Sequence, residues 1–236
     1  LRNYLTFDGV DSRDYGVYIS GQGAFNAPAR AYEFLQVPGR NGALIGNEKR
    51  LENIEVTYPA FIYTNFKRAV AGWRNFLLSR NGYCRLVDTY NPEEYRMAAY
   101  AGAFEVEATQ KNDAGRFDLV FNCKPQRYLI SGENVMTFTA AGTIYNPTQF
   151  AARPLLRVYG TGTVGIGNNA ITITETAGAY TDIDCEMMDA FYGAVNCNRN
   201  VQIQNKDFPT LPSGKTGITL QNGVTRVEIT PRWFRV

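Results

Sequence analysis

The sequence predicts a mainly β protein in two parts: a strand-rich N-terminal part with one packed α-helix over residues 1–130, and a separate β-sandwich over 131–236. Three observations carry this. Short apolar runs recur with a two-residue rhythm between Gly, Asn and Pro clusters, which is the pattern of half-buried strands. One segment, 65–79, changes to three- and four-residue steps, which is the pattern of a helix. After Tyr128 the texture shifts to Gly, Thr and Asn, punctuated by Asn146-Pro147 and Arg153-Pro154, with no second helical period. A chain of 236 residues is long enough for one large all-β domain or two ordinary ones, and the change in texture favours two.

Taken in order, Tyr4–Phe7, Gly16–Ser20, Phe34–Val37 and Ile54–Tyr58 read as strands. Between Val37 and Leu44 lies PGRNGA, where Asn41-Gly42 supplies the positive-φ pair of a tight hairpin. As a ligand loop this stretch would present Arg40 without a second convergent polar group, so the turn is the better reading. The helix carries Phe66, Ala69, Val70, Trp73, Phe76 and Leu77 on one face, follows a Thr64 or Asn65 cap and ends near Asn81-Gly82. Its aromatic stripe reads as a core seam rather than a cofactor box. Strands resume at Tyr83–Val87, Tyr95–Ala99, Phe104–Thr109 and Phe117–Cys123, the last two joined by QKNDAGR. In the second half, GTGTVG at Gly160–Gly165 reads as a hairpin tip followed by the strand of Ile171 and Ile173. Ile218, Leu220, Gln221-Asn222-Gly223, Val227 and Ile229 read as strand, turn and strand of a terminal hairpin.

Composition narrows the function classes. The 24 basic and 22 acidic residues are interspersed, at 16 and 14 before residue 131 and 8 and 8 after it, so neither part is a charged platform for nucleic acid. No apolar run is long enough for a membrane helix and no secretion leader is visible, which predicts a soluble chain made in the cytoplasm. There is no histidine, which removes the commonest general base, the usual triad base and a common zinc ligand. Cys84, Cys123, Cys185 and Cys197 contain no C-x-x-C pair; Cys84 and Cys123 share strand parity with apolar neighbours, and all four read as buried free thiols.

Four motifs invite chemistry. Gly214-Lys215-Thr216 resembles the end of a phosphate-binding loop, but Pro209 stands where that loop needs a glycine, and strand pattern follows where a helix should. GTGTVG matches a dinucleotide fingerprint but opens no helix. Asp182, Asp184 and Glu186, at two-residue steps, would put three carboxylates on one strand face, suggesting calcium or glycosidase chemistry. Met187 occupies the glycine position of a calcium loop, and a solvated acidic face is the reading preferred. Tyr159, Tyr180, Phe191, Tyr192, Trp73 and Trp233 are possible sugar platforms that fit core and interface use first, with no recognisable cluster. No catalytic, cofactor or metal residue is assigned, and no enzyme activity is expected.

Several stretches together resemble a family. YLTFDGVDSRDYGVYISG, VPGRNGALI, the helix carrying Trp73, LVDTYNPEEYRMAAYAG and FDLVFNCKP are similar to the N-terminal domain of the distal tail (Dit) proteins of bacteriophages with long, non-contractile tails. TDIDCEMMDAFYG and NKDFPTLPSGKTGITLQNGVTRVEITPRW resemble the galectin-like C-terminal domain of the same family. Phe208-Pro209 and Ser213-Gly214 fit its approach to the last hairpin, which makes Lys215 a turn residue. The resemblance implies that the N-terminal part is a β-sandwich with one packed α-helix, and that the chain is a structural adaptor of the virion tail tip, made in the bacterial host cytoplasm. In it a homo-hexameric ring joins the tail tube protein to the tail-associated or baseplate hub protein, offers docking to receptor-binding proteins, and leaves a channel for DNA. It implies no cofactor and no membrane insertion. A carbohydrate-binding role for the galectin-like domain is the alternative, and a wall-degrading enzyme using Asp184 and Glu186 stands behind both.

Overall fold

In the computed structural model, residues 2–21, 23 and 25–236 are described. The chain divides into two compact units, Leu1–Arg127 with Val236, and Tyr128–Arg235. Each has its own apolar core.

The first unit contains β1 (Leu5–Phe7), β2 (Val10–Asp11), β3 (Val17–Ile19), β4 (Arg30–Gln36), β5 (Ala43–Leu51), β6 (Ile54–Ile62), α1 (Phe66–Leu78), β7 (Cys84–Asp88), β8 (Glu94–Tyr100) and β9 (Glu107–Ala108). It also holds most of β10 (Gly115–Leu129). One antiparallel sheet runs in the order β2-β1-β7-β8-β10-β6-β3, with β9 beside β10. It curls until Asn3, just ahead of β1, bridges Ile19 at the end of β3. The inner face of the curl is supplied by strand alternation: Ile54, Val56, Tyr58, Ala60 and Ile62 of β6 point inward and meet Phe117, Leu119, Phe121 and Cys123 of β10. Phe121 lies 5.1 Å from Phe7 and 6.1 Å from Tyr58, ring centre to ring centre, so opposite parts of the sheet touch through aromatic rings.

Pro59 lies inside β6, where proline is normally excluded. Its carbonyl accepts from the Ser20 N–H at 2.7 Å, on the side where β3 ends. A strand residue's nitrogen and carbonyl face the same neighbour, so the missing N–H falls on the β3 side, just past the last paired residue Ile19, and not on the β10 side, where the ladder continues.

Helix α1 buries Phe66, Ala69, Trp73, Phe76 and Leu77, which is the face its periodicity predicts. Trp73 stacks on Phe76 at 5.3 Å and meets Tyr15 at 5.5 Å, so the stripe is a core seam. A side chain at Gly72 would come within 3.0 Å of the Tyr15 ring; the helix accepts a glycine, at about 1 kcal/mol, because that ring lies against its backbone. The expected Asn65 cap is present as a backbone position in the left-handed region, but its side chain makes no capping bond. The predicted strand Phe104–Thr109 shortens to Glu107–Ala108, while Phe104 packs on Phe117.

The second unit contains β11 (Met136–Phe138), β12 (Gly142–Asn146), β13 (Leu155–Tyr159), β14 (Gly162–Ile166), β15 (Asn169–Ile173), β16 (Thr181–Asp184), β17 (Asp189–Tyr192) and β18 (Val195–Asn196). It continues with β19 (Val201–Ile203), β20 (Gly214–Gln221), β21 (Arg226–Thr230) and β22 (Phe234–Arg235). Six strands form one antiparallel sheet, β11-β21-β13-β16-β17-β18, and five form another, β12-β20-β14-β15-β19. Leu156, Val158, Ile183, Val227 and Ile229 of the first share a core with Ile144, Val164, Ile166, Ile171 and Ile218 of the second, so the sheets pack face to face.

This arrangement corrects two sequence expectations. GTGTVG is not a hairpin tip, because β13 belongs to the six-stranded sheet and β14 to the five-stranded one; the segment carries the chain across the core. The terminal pair β20 and β21 is likewise an arch between sheets, since β20 pairs with β12 and β14 while β21 pairs with β11 and β13. The two arches touch: a Cβ on Gly160 would collide with the Gly223 carbonyl oxygen, and one on Gly162 with those of Asn222 and Gln221. The glycines that suggested phosphate binding are there because two backbones meet.

Candidate functional site

The acidic segment 182–186 is the first place to look for chemistry. Asp182 and Asp184 lie on β16, but the strand ends there, so Glu186 does not continue its face. Both aspartates are buried rather than solvated, a correction to the expected solvent-facing strip, because each is covered by an arginine from a distant segment. Arg157 donates its Nε and Nη2 to the two oxygens of Asp182 at 2.8 and 2.9 Å. Arg232 donates both Nη groups to Asp184 at 2.9 Å each, and the backbone N–H groups of Glu186 and Met187 donate to the same carboxylate. Burial alone would raise the Asp184 pKa, but the Arg232 guanidinium and these two amides hold it below the ordinary carboxylate value. A glycosidase acid needs the opposite shift. Glu186 accepts from the Tyr128 hydroxyl at 3.2 Å. Among the described residues no three Asp, Glu, Cys or His side chains gather as a metal set.

Tyr180, the residue just before β16, takes part in an aromatic cluster that sequence reasoning missed. On the six-stranded sheet, Tyr180 lies 5.8 Å from Tyr159 and 4.9 Å from Tyr192. Arg157 sits over Tyr180 at 4.0 Å and Arg226 over Tyr159 at 3.8 Å. The Tyr159 hydroxyl donates to Glu228, and Arg226 pairs with Glu228 at 3.3 Å. The tyrosines come from three separate strand ends, so no local spacing announces them. Phe191 is opposite Asp182 on the neighbouring strand, while Trp73 and Trp233 are buried in the cores.

Gly214 has φ +85° and is followed by Lys215 on β20 facing outward opposite Tyr145, with no helix after it; the phosphate-loop reading fails on structure as it did on sequence. The depression beside it is lined by Arg153, Asn168, Asp207, Lys215 and Thr219. The cysteines are free thiols; Cys123, Cys185 and Cys197 are buried, and Cys84 is half-buried. Burial pushes the Cys123 thiol up to about 11 and Cys185 to about 12, which makes both poor nucleophiles at neutral pH.

The first unit offers a different kind of feature. β4 and β5 form a two-stranded sheet of their own, paired from Gln36↔Ala43 back to Arg30↔Leu51. The PGRNGA hairpin is therefore present, but its positive-φ residues are Gly39 and Gly42 rather than Asn41 and Gly42. Phe34 pairs with Ile45 and Leu35 with Leu44, which puts apolar residues on both faces of the ribbon. Phe34 is 63% exposed, Ile45 62%, and Leu35 and Leu44 48% each. Elsewhere on the unit a groove of about 1280 Å³ runs over the outer side of β6 and β10, between Phe61, Tyr63 and Val120 and the Glu105 and Glu107 segment.

The features that stand out among the described residues are surfaces: an apolar ribbon and an outward groove on the first unit, and a tyrosine-arginine face on the second. The fold is one found in phage tail-hub and baseplate proteins. It is shared over nearly the whole chain with the Dit protein (gp19.1) of phage SPP1, described as a paradigm of the hub adsorption apparatus in phages that infect Gram-positive bacteria. The match has a TM-score of 0.70 and 16% identity, over 96% of this chain and 98% of that one. A chain of the phage p2 baseplate, in its activated conformation with Sr, matches at TM-score 0.50 and 13% identity, over 97% of each chain. No protein-family model matches, and no curated protein matches.

Proposed function

We propose that this chain is a distal tail adaptor of a siphovirus-type bacteriophage, acting by assembly and not as an enzyme. In this reading the first unit builds a homo-hexameric ring between the tail tube protein and the tail-associated or baseplate hub protein. Its lumen lets DNA pass, and the second, galectin-like unit sits outside the ring and gives receptor-binding proteins a place to dock. The virion tail tip is its location and the host cytoplasm its place of synthesis. The observation that carries the reading is the β4–β5 ribbon, since an exposed apolar ribbon of this kind is a liability in a lone molecule and an interface in an assembled one. The fold shared with the SPP1 Dit protein supports it, as does the packing of a six-stranded sheet on a five-stranded one for the galectin-like unit. Light scattering on the purified chain tests it: six copies of 26.4 kDa give a ring of about 158 kDa. A species of that mass supports the adaptor, and a monomer at every concentration counts against it.

The tyrosine-arginine face favours a second reading, glycan binding by the second unit, because aromatic rings beside charged hydrogen-bonding groups are what a sugar face requires. A glycan array decides it. Saturable binding lost in Tyr180→Ala supports the site, and silence at high protein concentration removes it.

A further inference from the structure

We infer that the depression beside the outer face of the five-stranded sheet, lined by both Arg153 and Lys215, binds a phosphate-bearing sugar. The inference is independent of the adaptor reading. The site is also separate from the tyrosine-arginine face, which belongs to the six-stranded sheet.

Charge singles out this place. In the second unit Arg157, Arg226 and Arg232 each pair with a carboxylate, whereas Arg153 and Lys215 have no ion-pair partner among the described residues. Both are exposed, and both line one depression of about 960 Å³, inside the roughly 300–1,000 Å³ range of small-molecule sites. Arg153 is held there by its neighbour Ala152, which is fully buried and exchanges two backbone hydrogen bonds with Leu211, at 2.9 and 2.8 Å. An ammonium and a guanidinium without carboxylates suit a phosphate monoester, whose oxygens accept charge-assisted hydrogen bonds from both. This is not a phosphate loop: the amides of β20 are spent on ladders to β12 and β14, so recognition falls to side chains.

The rest of the lining suits hydroxyl groups. Along β20 the outward residues run Lys215, Gly217, Thr219, about 13 Å from first to last. A Cβ on Gly217 would meet nothing within 4 Å, so the middle of that row is open floor. The Thr219 hydroxyl lies over Gly165 of the neighbouring strand, where a Cβ would come within 2.3 Å of it. The turn after β14 is tied to the segment that carries Asp207: the Asn169 amide donates to the Asp207 carbonyl at 2.6 Å and the Asn205 amide to that of Asn168 at 3.1 Å. The Asp207 carboxylate, itself without an ion-pair partner among the described residues, lines the same depression and can only accept. It repels an inorganic anion but serves a hydroxyl group. Cations, an open floor and a free carboxylate together fit a ligand that is anionic at one point and a polyol over the rest.

The test is calorimetric titration of the full chain with glucose 1-phosphate, glucose and inorganic phosphate. Glucose 1-phosphate is expected to bind saturably, at least about tenfold more tightly than either of the other two. Arg153→Gln and Lys215→Gln are each expected to weaken it at least about tenfold. Asp207→Ala is expected to weaken glucose 1-phosphate and strengthen inorganic phosphate, a reversal that net charge alone does not produce. Gly217→Thr fills the open floor with a residue suited to a strand, so binding should be lost with thermal unfolding unchanged. Tyr180→Ala should bind as the parent does. No saturable binding by the parent, equal binding of glucose 1-phosphate and inorganic phosphate, or binding that survives Lys215→Gln or Gly217→Thr overturns the site. Loss in Tyr180→Ala moves the ligand to the tyrosine-arginine face and overturns it as well. Where the site stands, competition by a phosphodiester-linked polysaccharide assigns it to a polymer, and no competition assigns it to free sugar phosphates.

Discussion

Two Asn-Gly turns in this chain look alike in sequence and do opposite things. Asn41-Gly42 joins β4 to β5, which pair with one another along their length and leave Tyr32, Phe34, Leu35, Leu44 and Ile45 exposed. Asn222-Gly223 joins β20 to β21, which do not pair with one another, sit in different sheets, and bury Ile218, Val227 and Ile229 completely or nearly so. Turn chemistry specifies that the chain reverses; it does not specify whether the two arms become neighbours in one sheet or opposite walls of a core. What separates the cases is the partner available. In the second unit, β12 and β14 flank one arm and β11 and β13 the other, whereas β4 and β5 have no flanking strand among the described residues.

The contrast is broken most forcefully at the buried arm. Ile229→Ala is expected to cost the second unit about 4 kcal/mol, since the side chain is fully enclosed and its cavity cannot collapse between two sheets. Urea unfolding followed by Trp233 fluorescence, in a Trp73→Phe background, reads that unit separately. A loss below about 1 kcal/mol would mean that the sheets are not packed as described.

Next in size is the clamp just beyond the arch. Arg232 has φ +59° and reaches Asp184, 48 residues away in sequence, through two hydrogen bonds. Arg232→Met leaves a buried carboxylate without its partner and is expected to cost about 3 kcal/mol at neutral pH. Because the folded-state pKa of Asp184 is lowered, its contribution is present above the unfolded value near 3.8 and is lost as pH falls through the folded value. The difference between the parent chain and Arg232→Met should therefore shrink in acid, below about pH 4. A gap that stays constant to pH 2 would show that the arginine acts through packing alone.

The two arches also say which parts of the fold were legible beforehand. The helix was, because Phe66, Ala69, Trp73, Phe76 and Leu77 fall on one face whatever they pack against. The strands of β6 and β10 were, because alternation survives any choice of neighbour. Pairing was not, because it is decided by residues far apart, as when Tyr145 of β12 meets Lys215 of β20. The same limit hid the state of Asp182 and Asp184. Three acids at two-residue spacing look solvated until Arg157 and Arg232 are placed over two of them. The tyrosine cluster and the groove over β6 were out of reach for the same reason, each being assembled from separate segments.

Glycines give a finer comparison of the two turns. Gly160→Ala places a methyl against the Gly223 carbonyl as well as straining a φ of +92°, and is expected to cost about 3 kcal/mol. Gly42→Ala strains a φ of +83° but meets nothing within 4 Å, and is expected to cost the ribbon about 1 kcal/mol. Amide hydrogen exchange across the β4–β5 ladder reads the second and urea unfolding the first. Equal costs would mean that only the dihedral matters and that the arches do not press on one another.

The smallest expected effect completes the contrast, because it concerns the same residue type on the opposite kind of arm. Ile45→Ala removes the same atoms as Ile229→Ala, yet from a side chain that is 62% exposed, so the isolated chain should change by less than about 0.5 kcal/mol. Folding stability alone gives no reason for an isoleucine there, or for Phe34 opposite it, and an exposed ribbon edge is ordinarily protected by charge or proline. Measured side by side, a large loss at 229 and none at 45 would show that the apolar residues of the ribbon are retained for a contact outside the molecule. A loss of 2 kcal/mol or more at 45 would instead place the ribbon's faces against this chain's own surface, and would remove the observation on which the assembly reading rests.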